Sequence, residues 1–316
     1  MSDVKVHDLV IVGAGPAALS AAIYTTREDI ETVLYEKAVP GGLISTTDWV
    51  DNYPGFPEGI EGLTLGDNMR KQAERFGAVI EVGEVMGIKK DGDVIKLDTT
   101  DGEIQAKTAL IATGSGYKKL GVPGEDTYYA RGVHYCATCD GAFYREKRLV
   151  VVGGGNSAVQ EAMFLTRFAT HIDMLVRSDL KASDVLINQL ETKFKDKITI
   201  HRQTTTDEIV GAELDGIQKV NKVVGTDKTT GKKVEFETDG VFIFVGLKPN
   251  TDFLKNSKVE LDEVGLVKSN EKLETAIPGV FVAGDCRSGA TMQIATAVGE
   301  GATAALHIRE RLEGHS

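Results

Sequence analysis

The apolar positions of this chain fall in short unbroken runs separated by polar or glycine-rich stretches. Leu9-Val10-Ile11-Val12 is the first run, and an unbroken β-branched run of this kind reads as a strand buried on both faces of a parallel sheet. It leads into Gly13-Ala14-Gly15-Pro16-Ala17-Ala18 and then a helical stretch, Leu19 to Thr26. The same succession returns 140 residues later, where Leu149-Val150-Val151-Val152 leads into Gly153-Gly154-Gly155-Asn156-Ser157-Ala158 and a helical stretch from Val159 to Phe168. Leu9/Leu149, Val10/Val150, Val12/Val152, Gly13/Gly153, Gly15/Gly155, Ala18/Ala158 and Ala22/Ala162 recur in register. A second strand is expected after each helix, from Thr32 to Glu36 and from Ile172 to Arg177. Hairpin-like alternation follows, over residues 79–106 and 208–236. Each unit then closes on an apolar run ending in glycine, Ala109-Leu110-Ile111-Ala112-Thr113-Gly114 and Val241-Phe242-Ile243-Phe244-Val245-Gly246.

A third run of this kind, Gly279-Val280-Phe281-Val282-Ala283-Gly284-Asp285, has no counterpart in the repeat and precedes a helical stretch from Thr291 to Arg311. The C-terminal segment therefore returns to complete the first unit, and the second unit is an insertion. The expected domains are residues 1–116 with 247–316, and residues 117–246, joined by exposed connectors around Gly116–Gly124 and Gly246–Thr251. The expected fold class is α/β: two Rossmann-like, three-layer ββα nucleotide-binding domains, the second inserted in the first.

The glycine turns suggest why. In G-x-G-x-x-A between a strand and a helix, the first glycine makes the tight turn and the second admits a pyrophosphate close to the backbone. The third position must be small for the helix to pack on its strand, and the helix N-terminus then faces the phosphates. One such motif is weak evidence; two in the same strand–helix context are strong. The residue that reads the ribose lies about 20 positions further on. In the first unit it is Glu36, whose carboxylate accepts from ribose hydroxyls and fits an unphosphorylated adenosine. In the second unit the place falls at Val176-Arg177-Ser178, where a cation replaces the carboxylate and favours a 2′-phosphate, hence NADPH over NADH. The alternative is that Arg177 is simply a solvated surface arginine.

Composition narrows the class. There are 35 glycines among 316 residues, above the usual level of about 7%, while only 7 prolines argue against a disordered Pro/Gly-rich chain. Against 36 basic residues stand 47 acidic ones, a net charge of −11, which excludes a general nucleic-acid binder with its basic face. No apolar run approaches the length of a membrane helix, and residues 1–10 lack a secretory apolar core, so a cytoplasmic protein without a membrane partner is expected.

The three cysteines are Cys136, Cys139 and Cys286, too few for a disulfide scaffold and suited to a reducing compartment. Cys136-Ala137-Thr138-Cys139 has three readings. It is half of a zinc site needing His134 and Cys286, or inert packing, or a redox dithiol whose thiolate attacks a disulfide. No second C-x-x-C completes a tetrahedron, so no metal is expected. Asp140 follows directly; it is either a surface or capping charge, or the acid such an exchange requires. With a flavin on one dinucleotide site and a nicotinamide on the other, hydride can reach the flavin and two electrons can pass on to a disulfide.

With these residues in place, the whole chain resembles the low-molecular-weight thioredoxin reductases of bacteria and archaea. The most specific element is Cys136-Ala-Thr-Cys139-Asp140-Gly141 just ahead of the second glycine turn; Gly13-Ala-Gly-Pro-Ala-Ala, the Gly41-Gly42 pair with Asn52-Tyr53-Pro54-Gly55, Ala112-Thr113-Gly114, and Gly284-Asp285 with Gln293 support it. The resemblance implies FAD in the discontinuous domain, held by Gly13, Gly15, Pro16, Ala17, Glu36, Gly41, Gly42, Asn52, Ala112, Thr113, Gly114, Gly284, Asp285, Gln293 and Ile294. It implies NADPH, or NADH, in the central domain at Gly153, Gly155, Asn156, Ser157, Arg177, Ser178 and Lys181. It also implies Cys139 facing the flavin, Cys136 attacking a thioredoxin disulfide, Asp140 as the acid, a homodimer, and a domain rotation hinged near residues 116 and 247.

Three positions depart from the family pattern. Gly41-Gly42-Leu43 replaces Gly-Gly-Gln, Val176-Arg177-Ser178 with Lys181 replaces the arginine-rich 2′-phosphate clamp, and Met292-Gln293 replaces Arg-Gln. One cation of the clamp is lost, so the preference for NADPH over NADH should weaken, by about tenfold or more. The weakened clamp leaves open a different electron donor such as ferredoxin, while the same FAD and dithiol would serve an O2-dependent dithiol oxidase or a non-catalytic redox sensor. A plain ferredoxin–NADP reductase would have no use for Cys136 and Cys139. Cys286 reads as a packing residue; Trp49 and the segment from Asn52 to Pro57 read equally as core or as flavin or partner contacts.

Overall fold

The computed structural model describes residues 5–47, 49–50, 52–214 and 217–314, with only the backbone at Trp49, Thr138, Cys139, Leu214 and Ile217. The chain divides into two compact units, Met1–Gly116 with Lys248–Ser316, and Tyr117–Leu247. Both are mixed α/β units with central parallel strands, the Rossmann-like class.

In the discontinuous unit, Val6–Val12 lies between Thr32–Glu36 and Gly102–Ile111, parallel to both, and Val79–Val82 extends the sheet beyond Thr32–Glu36. Val280–Val282 joins parallel to Gly102–Ile111 at Ala109, Leu110 and Ile111. The earlier half of that long strand, residues 102–106, instead pairs antiparallel with Val94–Thr99, which pairs with Val85–Asp91. The alternation along Val6–Val12 explains the two layers. Leu9 and Ile11 face helices α1 (Pro16–Thr26), α2 (Gly62–Arg75) and α6 (Ile294–Leu312), while Val10 and Val12 face Val85, Ile88, Ile95 and Leu97 of the meander.

The helices α1 and α6 meet at backbone distance. A Cβ on Gly301 would stand 2.1 Å from the Ala17 carbonyl oxygen, and the Ser20 hydroxyl donates to the Val298 carbonyl at 2.8 Å. The C-terminal run supplies both the next parallel strand and the helix covering α1.

The inserted unit repeats this layering. Its parallel sheet runs Val133–His134, Gly240–Ile243, Arg148–Val152, His171–Val176, Ile198–Arg202. Leu149 and Val151 face α4 (Asn156–Leu165) and α5 (Asp184–Lys193), whereas Val150 and Val152 face the antiparallel sheet Thr204–Leu214, Ile217–Asp227, Lys232–Glu237. A short helix, α3 (Ala137–Asp140), precedes this strand–turn–helix. At the connectors, Ser115–Tyr117 and Leu247–Pro249 pair as a two-stranded sheet.

Candidate nucleotide and dithiol sites

The internal repeat extends from residue types to hydrogen bonds. Gly13 N–H donates to the Tyr35 carbonyl at 2.8 Å, and Gly153 N–H to the Leu175 carbonyl at 3.1 Å. Ala112 N–H donates to Val12 and Phe244 N–H to Val152; Gly41 N–H donates to Ala14 and Lys181 N–H to Gly154. Every one of these pairs is offset by the same interval or nearly so. Gly13 and Gly153 have φ of +105° and +143°, and a Cβ on them would stand 2.6 Å and 2.2 Å from the carbonyls of Ala112 and Phe244. Neither position tolerates a side chain.

In the discontinuous unit the turn leads to α1 with Gly15 as its N-cap, Pro16 in the first turn and no side-chain cap. The helix N-terminus thus keeps its dipole uncovered by its own side chains. Gly42 approaches Gly15 so closely that a Cβ there would be 3.2 Å from the Gly15 Cα. Glu36 Oε2 accepts from Ala14 N–H at 2.8 Å and Oε1 from Ala38 N–H at 2.9 Å, which fixes the carboxylate at the end of its strand. Ala112, Thr113 and Gly114 follow the adjacent strand, where Asn250 Nδ2 donates to the Thr113 carbonyl at 2.9 Å. Gly284 comes within 3.0 Å of Ala17 by its missing Cβ, and its N–H donates to Glu300. Burial pushes the Asp285 carboxyl up, and the Glu300 charge adds to this. Among the described residues Asp285 uses only its backbone carbonyl, which accepts from the Ser115 hydroxyl at 3.1 Å. A half-buried carboxylate, an uncapped helix and a turn that a Cβ would fill fit a dinucleotide with hydroxyl donors. Asn52 and Gln293, distant in sequence, meet at 3.0 Å, just before Ile294 opens α6. Trp49's side chain lies outside the described residues.

In the inserted unit Asn156 and Ser157 begin α4, whose N-cap Gly155 is again without a side-chain cap. Asn156 Oδ1 accepts from Ser183 N–H at 2.8 Å. At the position matching Glu36 stands Val176, which carries no carboxylate. Arg177 and Lys181 are exposed, and Arg177 makes no side-chain hydrogen bond or ion pair among the described residues. A third exposed cation arrives unforeseen: Lys228 Nζ donates to the Arg177 carbonyl at 3.4 Å. Only the pairing of Gln203 with Ser178 and Lys228 brings it there, so no motif could have revealed it.

The dithiol segment follows the edge strand Val133–His134. Cys136 is half-buried and held in a disulfide, and Asp140 N–H donates to the Cys136 carbonyl at 3.3 Å. The Cys139 side chain lies outside the described residues. No group of metal-ligating side chains capable of holding an ion is found among the described residues, and His134 is engaged by Asp140 at 2.9 Å and Tyr144 at 2.7 Å. Cys286 is free and fully buried among Val10, Ile111 and Val282, as a packing residue should be. No helix of the described residues is long and apolar enough to cross a membrane.

Known proteins share this arrangement. Residues 7–301 match the family model described as pyridine nucleotide-disulphide oxidoreductase. The chain is 41% identical over 316 residues to a thioredoxin reductase of Bacillus subtilis (strain 168), covering 99% of this chain and 97% of that protein. It is 39% identical over 303 residues to one from Mycolicibacterium smegmatis, covering 95% of each. Among solved structures, thioredoxin reductase from Lactococcus lactis superposes with a TM-score of 0.88 at 39% identity, over 98% of this chain and 99% of that one. The T. acidophilum thioredoxin reductase gives a TM-score of 0.86 at 39% identity, over 98% and 99%.

Proposed function

Since the chain belongs to the pyridine nucleotide-disulphide oxidoreductase family, we propose that it works as an NADPH-dependent thioredoxin-disulfide reductase with FAD in the discontinuous unit and the nicotinamide in the inserted one. It is a flavoprotein oxidoreductase, and its relatives are thioredoxin reductases along their whole length. The observation that carries the reading is the disulfide at Cys136, one short helix ahead of the second dinucleotide turn. When bound, the flavin and nicotinamide supply the hydride and two-electron chemistry. The chain's own residues bind, orient and move protons. Glu36 would take the adenosine ribose of FAD, and Asp285 the hydroxyls of its ribityl or phosphate region. Asn52 and Gln293 would complete that pocket. Arg177, Lys181 and Lys228 would neutralise a 2′-phosphate on the nicotinamide dinucleotide.

Cys136 is the proposed attacking thiolate and Asp140 the group that gives a proton to the departing partner sulfur. The partner is a thioredoxin or thioredoxin-like protein, and the enzyme is proposed to be a homodimer. Anaerobic titration of the purified yellow protein with NADPH and with NADH, followed at the flavin band and then by oxidised thioredoxin, tests the reading. Bleaching by nicotinamide and recovery on adding thioredoxin is expected. A flavin that neither nucleotide reduces defeats it.

A further inference from the structure

His134 is packed in a way its strand position does not require. It closes the edge strand beside Phe242, and its ring stacks on that phenyl ring at 5.2 Å and 27°. Its side chain is 10% exposed. Nδ1 lies 2.9 Å from Asp140 Oδ2, and Nε2 lies 2.7 Å from the Tyr144 hydroxyl. Tyr144 reaches this place because Gly240 has no side chain there; a Cβ would stand 2.5 Å from the tyrosine ring. The imidazole is thus held by an aromatic face, a hydroxyl and a carboxylate at once.

The carboxylate decides the tautomer. When ionised, Asp140 can only accept, so the imidazole proton facing it sits on Nδ1, and Nε2 accepts from the Tyr144 hydroxyl. Burial pushes that phenol up to about 12, and the charges of Asp140 and Asp239 add to this, so it keeps its proton. Among the described residues, Tyr144 and Cys136 stand next to the pair; the Asp239 charge acts on Tyr144, and Lys147 lies 3.4 Å from Asp239.

We propose that His134 is a positioning residue for Asp140: with Tyr144 anchoring its Nε2 and Nδ1–H turned to the carboxylate, it holds Asp140 in one orientation while Asp140 exchanges protons during disulfide transfer. This rests on the dithiol chemistry proposed above. In that chemistry the Cys136 thiolate attacks one sulfur of the partner disulfide. A new S–S bond forms, the partner's bond breaks, and the electron pair leaves on its second sulfur, which takes the Asp140 proton. Cys139 then gives its proton to the Asp140 carboxylate and attacks Cys136. The mixed disulfide breaks, the second electron pair leaves on the partner's first sulfur, and that sulfur takes the proton from Asp140. Two electrons and two protons reach the partner, the Cys136–Cys139 disulfide is closed, and Asp140 ends ionised. That is the state in which an N–H donor on Oδ2 has most to do.

The test uses the flavin-loaded enzyme and three variants, His134→Leu, His134→Asn and Tyr144→Phe. Two steps are timed anaerobically across pH: flavin reduction by nicotinamide, and reoxidation of the reduced enzyme by thioredoxin and by a small aromatic disulfide. Flavin content and far-ultraviolet dichroism confirm folding. His134→Leu should slow reoxidation by roughly tenfold and carry its fall-off toward higher pH, because the ionised carboxylate has lost its donor. His134→Asn, whose amide N–H can stand in for Nδ1–H, should recover most of the rate. Tyr144→Phe should displace the profile the same way, by less. Flavin reduction should not change. An unshifted profile in His134→Leu, or an Asn variant no better than Leu, overturns the proposal. Parent enzyme that reacts with the small disulfide but not with thioredoxin sinks the partner assignment and leaves His134 fully tested. Parent enzyme that reacts with neither removes the dithiol chemistry, and His134's role with it.

Discussion

Val176 stands where the first unit has Glu36, and that single exchange removes the group that would repel a phosphate on the ribose. What remains to attract it is a set of flexible, exposed cations, Arg177, Lys181 and Lys228. Exposed charges contribute little each and are screened by salt, so the preference should be modest and salt-sensitive. Arg177→Ala is expected to raise the KM for NADPH by about two- to fivefold and leave that for NADH nearly unchanged. Lys228→Ala should do the same more weakly. Equal losses with both nucleotides in steady-state kinetics would show that these side chains do not meet the 2′ position. That Arg177 ends its strand follows from its distance past the glycine turn; that Lys228 lies beside it does not, because only the tertiary pairing of a hairpin places it there.

Helix α6 depends on a close contact that one methyl group would break. The carbonyl of Ala17 occupies the space beside Gly301, with a prospective Cβ at 2.1 Å. Backbone on both sides cannot give way as a side-chain tip can, so Gly301→Ala should separate α1 from α6 at a cost of roughly 1–3 kcal/mol. Thermal melting would register this, and loss of flavin should accompany it because α1 carries the first glycine turn. A melting point equal to the parent's would refute the contact. Helix α4 holds the opposite case. Burial alone pushes the Glu161 carboxyl up to about 7, so ionising it favours unfolding as pH rises from its ordinary unfolded value of about 4.3 toward 7. Glu161→Gln should therefore stabilise the protein at pH 8, by a gain of order 2 kcal/mol that vanishes toward pH 4. Urea melts at the two pH values decide it. Neither effect is visible in sequence: a glycine or glutamate within a helical run shows its surroundings only once the helices are packed.

Across the whole molecule the acid limb of stability should draw on both units. In the inserted unit, hydrogen bonds from Lys233, Thr226 and Thr205 hold the Asp207 carboxyl down to about 2; in the discontinuous unit Lys248 and Lys255 do the same for Asp252. Both folded values lie below the unfolded value of about 3.9, so these contributions are present above that pH and are lost as pH falls toward 2. Lys233→Gln should be less stable than the parent at neutral pH, with the gap closing as pH falls through this window. A gap of constant size would show that the ion pair is not its source. At this scale the sequence was informative where the repeat is local, because strand, glycine turn and helix are consecutive in the chain. It suggested an insertion, since Val280–Val282 has no equivalent in the repeat. It missed the pairing of Ser115–Tyr117 with Leu247–Pro249, because it joins segments more than a hundred residues apart.

That separation bears on how the protein is born. The strand Gly102–Ile111 leaves the ribosome long before its neighbour Val280–Val282. At ordinary elongation speeds the delay is on the order of ten seconds. During it the inserted unit is made whole, whereas the first sheet waits with Ala109, Leu110 and Ile111 lacking their neighbour on one edge. The nascent chain is then most open to strand-to-strand aggregation, and nascent-chain chaperones have their longest opportunity to bind it.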